Sequence, residues 1–103
     1  MLVLQVSKHD YSSCPMFNER SLKASKKYMA GEEAALARHK IKLIGSWTDF
    51  TSHEIFNIFE SPSMEEFMKM CMEPEFMEWL SFNDVQTKAV IGRKDVMELL
   101  SSK

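Results

Sequence analysis

The spacing of apolar residues changes period several times along the chain, and each change marks an element. Met1–Lys8 (MLVLQVSK) is rich in Leu and Val and too short for a free helix, which predicts a first strand. His9–Pro15 (HDYSSCP) is dense in turn formers and reads as a loop. From Met16 to about His39 the period becomes helical: Leu22, Met29 and Leu36 recur at spacing seven, with Ser25 and Ala35 beside them and charged residues on the other face. Gly31 sits inside that helix at a cost of about 1 kcal/mol against alanine, so the helix either bends there or meets a close neighbour. Lys40–Phe50 and His53–Glu60 are β-rich runs separated by Thr51-Ser52, the layout of an antiparallel hairpin. Ser61 as N-cap and Pro62 at the first helical position open a second helix, with Met64, Phe67, Met68 and Cys71 as its inward stripe. Pro74 ends that helix and opens a further turn carrying Phe76, Trp79 and Leu80. Val85–Gly92 reads as a fourth strand, and Asp95 followed by Glu98 as a capping box for a short terminal helix.

The order β-α-β-β-α-β plus a tail helix predicts one α+β domain over residues 1–103, of ferredoxin-like type: a four-stranded antiparallel sheet with both long helices on one face. Period-two alternation sorts the strand residues into two faces. Leu2, Leu4, Val6, Ile41, Leu43, Phe56, Ile58, Ala89 and Ile91 form a wholly apolar set, expected under the helices. Val3, Gln5, Ser7, Ile44, Ser46, Ile55, Asn57, Phe59, Gln86, Lys88 and Val90 form a mixed set, expected on the opposite face. That face is too apolar to lie bare against water and too polar for a plain core. Two such sheets facing each other around a cavity satisfy both demands, which predicts a homodimer through the sheet face.

Composition narrows the function classes. Hydrophobic residues are 45% and charged residues 27%, a globular balance and not a disordered one. Thirteen Lys and Arg against fifteen Asp and Glu leave a net charge of -2, so no basic excess exists for gripping nucleic-acid phosphates. No apolar run approaches the roughly 20 residues of a membrane span. Met1-Leu2-Val3-Leu4 has no basic flank and no small-residue cleavage site after it, so no signal peptide is expected. Cys14 and Cys71 stand outside any CxxC or disulfide framework, which suits a reducing, cytoplasmic setting.

The stretch Lys40–Phe67, KIKLIGSWTDFTSHEIFNIFESPSMEEF, resembles the middle of the dimeric α+β barrel superfamily. Many members share a second strand ending in a glycine and an aromatic, a short turn, and a third strand ending in an acidic residue at the entrance to the second helix. Gly45, Trp47, Glu60 and Ser61 stand in those places. The resemblance implies a homodimer whose sheets close into a barrel, with a pocket between each sheet and the helices or loops at its rim. It does not imply one reaction, because the superfamily includes cofactor-free quinol-type monooxygenases, haem-degrading enzymes, muconolactone isomerases and many uncharacterised small proteins. Haem-degrading relatives carry a His on the second helix; here that helix offers Met64, Met68, Met70, Cys71 and Met72 and no His, so no haem or other cofactor is expected.

The candidate chemistry is sparse. His9 closes the first strand and His53 opens the third; either in a cavity is a candidate general base, and their strand ends are expected to place them apart. His39 ends a basic helix, where it complements the dipole. His9, Asp10 and Cys14 lie close in sequence, but no second ligand pair accompanies them, so no metal site is assigned. Cys71 is expected as a small buried hydrophobe, and Cys14 as a loop thiol. Five of the nine methionines fall between Met64 and Met77; core filling explains most of them, with Met70 or Met72 left over for a partner surface. The expected ligand wall is Gln5, Ser7, Ser46, Asn57 and Gln86, with His9 or His53 at the rim. Asn57 interrupts the apolar strand Ile55-Phe56-Asn57-Ile58-Phe59, and an unpaired buried amide there costs roughly 1–3 kcal/mol, so it bonds Gln5, Ser46, water or a ligand. Three functions fit this reading: a small-ligand-binding protein, a cofactor-independent monooxygenase-type enzyme on an aromatic or quinol-like substrate, and an interaction module without ligand.

Overall fold

The computed structural model describes all 103 residues, Met1–Lys103. Four strands, β1 (Leu2–Lys8), β2 (Lys42–Asp49), β3 (Glu54–Glu60) and β4 (Asp84–Val90), form one antiparallel sheet in the order β2-β3-β1-β4. A 3-10 turn, Tyr11–Ser13, and helix α1 (Glu19–Arg38) connect β1 to β2. Helices α2 (Met64–Cys71) and α3 (Pro74–Leu80) connect β3 to β4, and α4 (Arg93–Ser101) ends the chain. This is the ferredoxin-like arrangement that the element order predicts. No helix is long and apolar enough to cross a membrane.

Pairing register decides which residues share a face. Gln5 lies opposite Asn57 and Thr87, and Val3 opposite Phe59 and Ala89. Val3, Gln5, Ser7, Asn57 and Phe59 are all buried, and the Phe59 ring lies 5.1 Å from that of Phe67 on α2. The mixed set of β1 and β3 therefore packs under the helices. Leu2, Leu4, Val6, Phe56 and Ile58, expected there, form the half-exposed outer face. On β4 the outward residues are Gln86, Lys88 and Val90, opposite Val6, Leu4 and Leu2.

Strand β2 changes parity midway. A β-bulge between Leu43 and Gly45 leaves Leu43 opposite Phe59 and places Ser46 opposite Asn57. The extra residue turns Ser46 and Thr48 to the helix side, and Gly45 and Trp47 to the outer face. There the Trp47 ring lies over Gly45, where any Cβ would collide with it. Glycine followed two residues on by an aromatic is thus one packing unit of the outer face.

The helices repeat this lesson on a smaller scale. Asn18 caps α1 by accepting from the Ser21 amide at 2.9 Å. The buried stripe of α1 is Ser21, Ala24, Ser25, Tyr28 and Ala35, while Leu22 and Met29, expected inside, are exposed. Gly31 marks the close approach of α3: a Cβ there would stand 3.5 Å from Glu75 Cγ, and the helix continues through it. At the end of α1 the Ile41 amide bonds Leu36 O and the Lys40 amide bonds Ala37 O, with Lys40 at φ 57, a left-handed cap.

The cap of α2 is Ser63, not Ser61; Ser63 Oγ accepts from the Glu66 amide at 3.0 Å. Its buried residues are Phe67, Met70 and Cys71, so Met70 belongs to the core and Met68 is half exposed. Pro74 opens α3 as expected, which buries Phe76 and Trp79. Gly92 is the N-cap of α4; Asp95 lies in its first turn without a side-chain cap.

Candidate functional site

A cavity of about 440 Å³ lies between the β2–β3 hairpin, α1 and the loop that follows β1. Its walls are chiefly apolar and aromatic, including Tyr28, Ile55, Trp79 and Phe82. Tyr28 stacks on Trp79 at 4.6 Å and meets Phe76 edge-on at 4.8 Å, so the wall is built of interlocked rings. The Tyr28 hydroxyl donates to Glu32 Oε2 at 2.6 Å. Burial, reinforced by Glu32, drives the Tyr28 phenol far above its ordinary range, so it stays protonated.

Polar groups interrupt this wall at a few points. Ser46, Asn57, His9 and His53 line the cavity. Asn57 is 4% exposed. Neither expected protein partner satisfies its amide: Gln5 donates instead from Nε2 to Cys71 Sγ at 3.9 Å. Ser25 Oγ, on the same wall, is buried without a hydrogen-bond partner. Gln5 and Ser7 share the helix-side face with Asn57 but are not wall residues. Gln86 lies on the opposite face of the sheet, because β4 pairs it with Val6.

One end of the cavity gathers His9, Cys14 and His53, although the two histidines were expected at opposite ends of the sheet. Antiparallel pairing sets Lys8 against Glu54, so the end of β1 adjoins the start of β3. The His9 and His53 rings accordingly lie 5.4 Å apart, nearly perpendicular, and the His9 amide bonds His53 O at 3.3 Å. His53 holds φ 55, in the left-handed region, at the end of the hairpin turn.

Cys14 completes the group and is 3% exposed, not an open loop thiol. Its backbone is held on both sides: its amide bonds Tyr11 O, and its carbonyl accepts from the Phe17 and Asn18 amides. One ring nitrogen of each histidine and the Cys14 sulfur all lie within 4.8 Å of one another. Asp10, the third residue of the expected sequence cluster, is exposed and outside this group.

The other two singled-out residues have structural roles. Cys71 is buried, and desolvation raises its thiol pKa against the weaker effect of the Gln5 amide. His39 caps α1 and donates from Nδ1 to Glu66 Oε2, 2.6 Å away, with Glu73 Oε1 3.7 Å from its Nε2. Trp47 belongs to the outer face and not to the cavity.

Comparison with known proteins agrees with this architecture. The family described as "Domain of unknown function (DUF3303)" matches residues 13–103. No curated protein matches the chain in sequence. Among solved structures, protein Atu4242 from Agrobacterium tumefaciens is similar at 16% identity and TM-score 0.55, over 90% of this chain and 95% of that one. A protein of unknown function, RPA0582 from Rhodopseudomonas palustris, is similar at 14% identity and TM-score 0.56, over 88% and 83% of the two chains. A structure described as an antibiotic biosynthesis monooxygenase is similar at 12% identity and TM-score 0.51, over 89% of this chain and all of that one. At these identities the likeness is one of fold.

Proposed function

The chain belongs to the family of unknown function DUF3303, and from that premise we propose that it is a homodimeric α+β barrel protein that binds a small, largely apolar molecule in the cavity under α1. The cavity itself carries this reading. Its 440 Å³ falls within the roughly 300–1,000 Å³ of ordinary ligand sites, and its ring-lined wall is broken by a few polar groups. Ser25 Oγ needs a partner there, the Asn57 amide lies on the same wall, and a ligand with polar atoms can bond both.

The dimer rests on two surfaces. Leu2, Leu4, Val6, Phe56 and Ile58 form an apolar outer sheet face, and α4 buries none of its residues while presenting Val96, Met97, Leu99 and Leu100. A second copy related by two-fold symmetry covers both.

A second reading goes one step further. His9 and His53 put ionisable groups on the cavity wall, which suits an enzyme that removes a proton from an aromatic or quinol-like substrate before oxygen attack. The fold shared with an antibiotic biosynthesis monooxygenase makes this class the natural one to test. The interaction module without ligand fits least well, because such a module has no use for an apolar cavity whose wall carries the unpaired Ser25 hydroxyl.

The deciding experiment is native mass spectrometry of freshly purified protein, followed by binding of small quinols and aromatic acids to wild type and Asn57→Leu. Retained or added ligand that weakens about tenfold or more in Asn57→Leu, with an unchanged melting profile, supports the pocket. This follows from the roughly 1–3 kcal/mol attached to an unpaired polar group. No retained molecule and no saturable binding sinks the ligand reading. Substrate-dependent oxygen uptake that disappears in His53→Ala selects the enzyme over the binding protein.

A further inference from the structure

Two imidazoles and a thiol converge on one end of the cavity, and binding of an apolar ligand gives the thiol no role. We infer that His9, Cys14 and His53 form a three-ligand site for a divalent transition metal of the zinc class, with its fourth position open to the cavity.

Donor chemistry comes first. Imidazole nitrogen and thiolate sulfur are the ligands such ions prefer, and three protein ligands plus one open position is the pattern of a reactive site, not a structural one. The three donor atoms lie within 4.8 Å of one another. Tetrahedral bonds of about 2.0 Å to nitrogen and 2.3 Å to sulfur put donors about 3.5 Å apart, so side-chain rotation closes the site.

Orientation is the second, independent observation. Asn83 donates from Nδ2 to Trp79 O at 2.8 Å, which leaves its Oδ1 as an acceptor facing His9 Nδ1 at 3.1 Å. His9 Nδ1 therefore carries the proton, and Nε2 presents its lone pair. An outer partner that fixes the tautomer of a ligating histidine is the usual companion of a metal site. Neither the His53 ring nor the Cys14 sulfur is engaged in a hydrogen bond that would compete with a metal. The Cys14 backbone is pinned by the 3-10 turn and the first turn before α1, so the sulfur is placed in advance.

All three residues line the cavity. A bound ion there offers its open position to an oxygen or nitrogen donor on the cavity's occupant, while the ring-lined wall holds the apolar remainder. Metal uptake itself does not depend on the organic ligand reading, so the two are tested separately.

The test uses the full chain, reduced and stripped with chelator, titrated with Zn²⁺ by calorimetry and with Co²⁺ by absorption. The expected result is one ion per chain, a thiolate-to-cobalt band in the near ultraviolet, intense tetrahedral visible bands, and a higher Tm with Zn²⁺. Cys14→Ser removes the thiolate band; His53→Ala weakens binding by more than a hundredfold; Asn83→Ala weakens it about 10–100-fold as a positioning residue. Cys71→Ala leaves the spectrum intact. Absence of stoichiometric uptake by the wild type overturns the inference, as does a thiolate band that survives Cys14→Ser or vanishes in Cys71→Ala. The wild-type titration decides the matter even where a ligand variant fails to fold.

Discussion

Phe59 and Phe56 stand three residues apart on one strand and have opposite consequences. Phe59 is 1% exposed and packs on Phe67 at 5.1 Å. Truncating a buried phenylalanine of this kind costs about 3–5 kcal/mol. With about 4–8 °C of Tm per kcal/mol for a domain near this size, Phe59→Ala lowers Tm by about 12–40 °C. Phe56 is half-buried on the outer face, between Val6 and Trp47 in the register. Half the transfer free energy of a phenylalanine is about 1 kcal/mol, so its contribution to a single chain is small. Its contribution to the proposed dimer is large, because a charge there would face the apolar surface of a second copy. The assay is thermal melting at two protein concentrations a hundredfold apart, with sedimentation alongside. Wild type melts higher at the higher concentration, as linkage to dimerisation requires. Phe59→Ala melts lower at both and keeps that dependence. Phe56→Glu loses the dependence and sediments as a monomer. A dimeric Phe56→Glu, or a Phe59→Ala that costs less than about 1 kcal/mol, refutes the assignment of faces on which the argument stands.

Gly31→Ala gains the helix propensity of alanine, about 1 kcal/mol, and its new methyl meets Glu75 Cγ at an ordinary 3.5 Å, so a Tm increase is expected and a decrease means α1 and α3 pack too tightly for it. Glu73 accepts two bonds from Arg38, at 3.0 and 2.8 Å, and Glu66 one from His39, and these partners hold both carboxyls below their ordinary 4.5. The folded chain then binds fewer protons than the unfolded one as pH falls below 4.5, so this stabilisation is complete above that range and lost beneath it. Urea melts of Glu66→Gln/Glu73→Gln should show a shallower acid decline than wild type, and an unchanged slope removes these pairs from the account.

The element order was legible because each boundary carries its own chemistry. Pro74 opens α3, and the Thr51-Ser52 junction separates two β-rich runs. The faces were not legible, for a physical reason. Both sides of the sheet are apolar, and the inner side is the more polar because Gln5, Ser7 and Asn57 lie beneath helices and beside a cavity. The rule that sends the more apolar set inward therefore inverted β1 and β3. On α2 the inward stripe runs through Phe67, Met70 and Cys71, so Met70 takes the place expected for Met68, about 200° away round the helix. The histidine pair was available in principle, since β1 and β3 are antiparallel neighbours and the end of one must meet the start of the other. Cys14 was not, because its place depends on how a ten-residue loop folds over the sheet end.

The bulge in β2 gives this pocket an unusual route to change. Ile44 is the residue without a partner on β3; pairing it with Ile58 in plain alternation would set Gly45 against Asn57 and Trp47 against Ile55. The indole would then enter the cavity, and Ser46 would leave it. A slip of one residue thus separates a roomy, hydroxyl-bearing chamber from one plugged by tryptophan, with every other strand untouched. Deleting Ile44 would leave Ser46 against Asn57, so the extra residue holds the chamber open only through the parity it imposes on an edge strand.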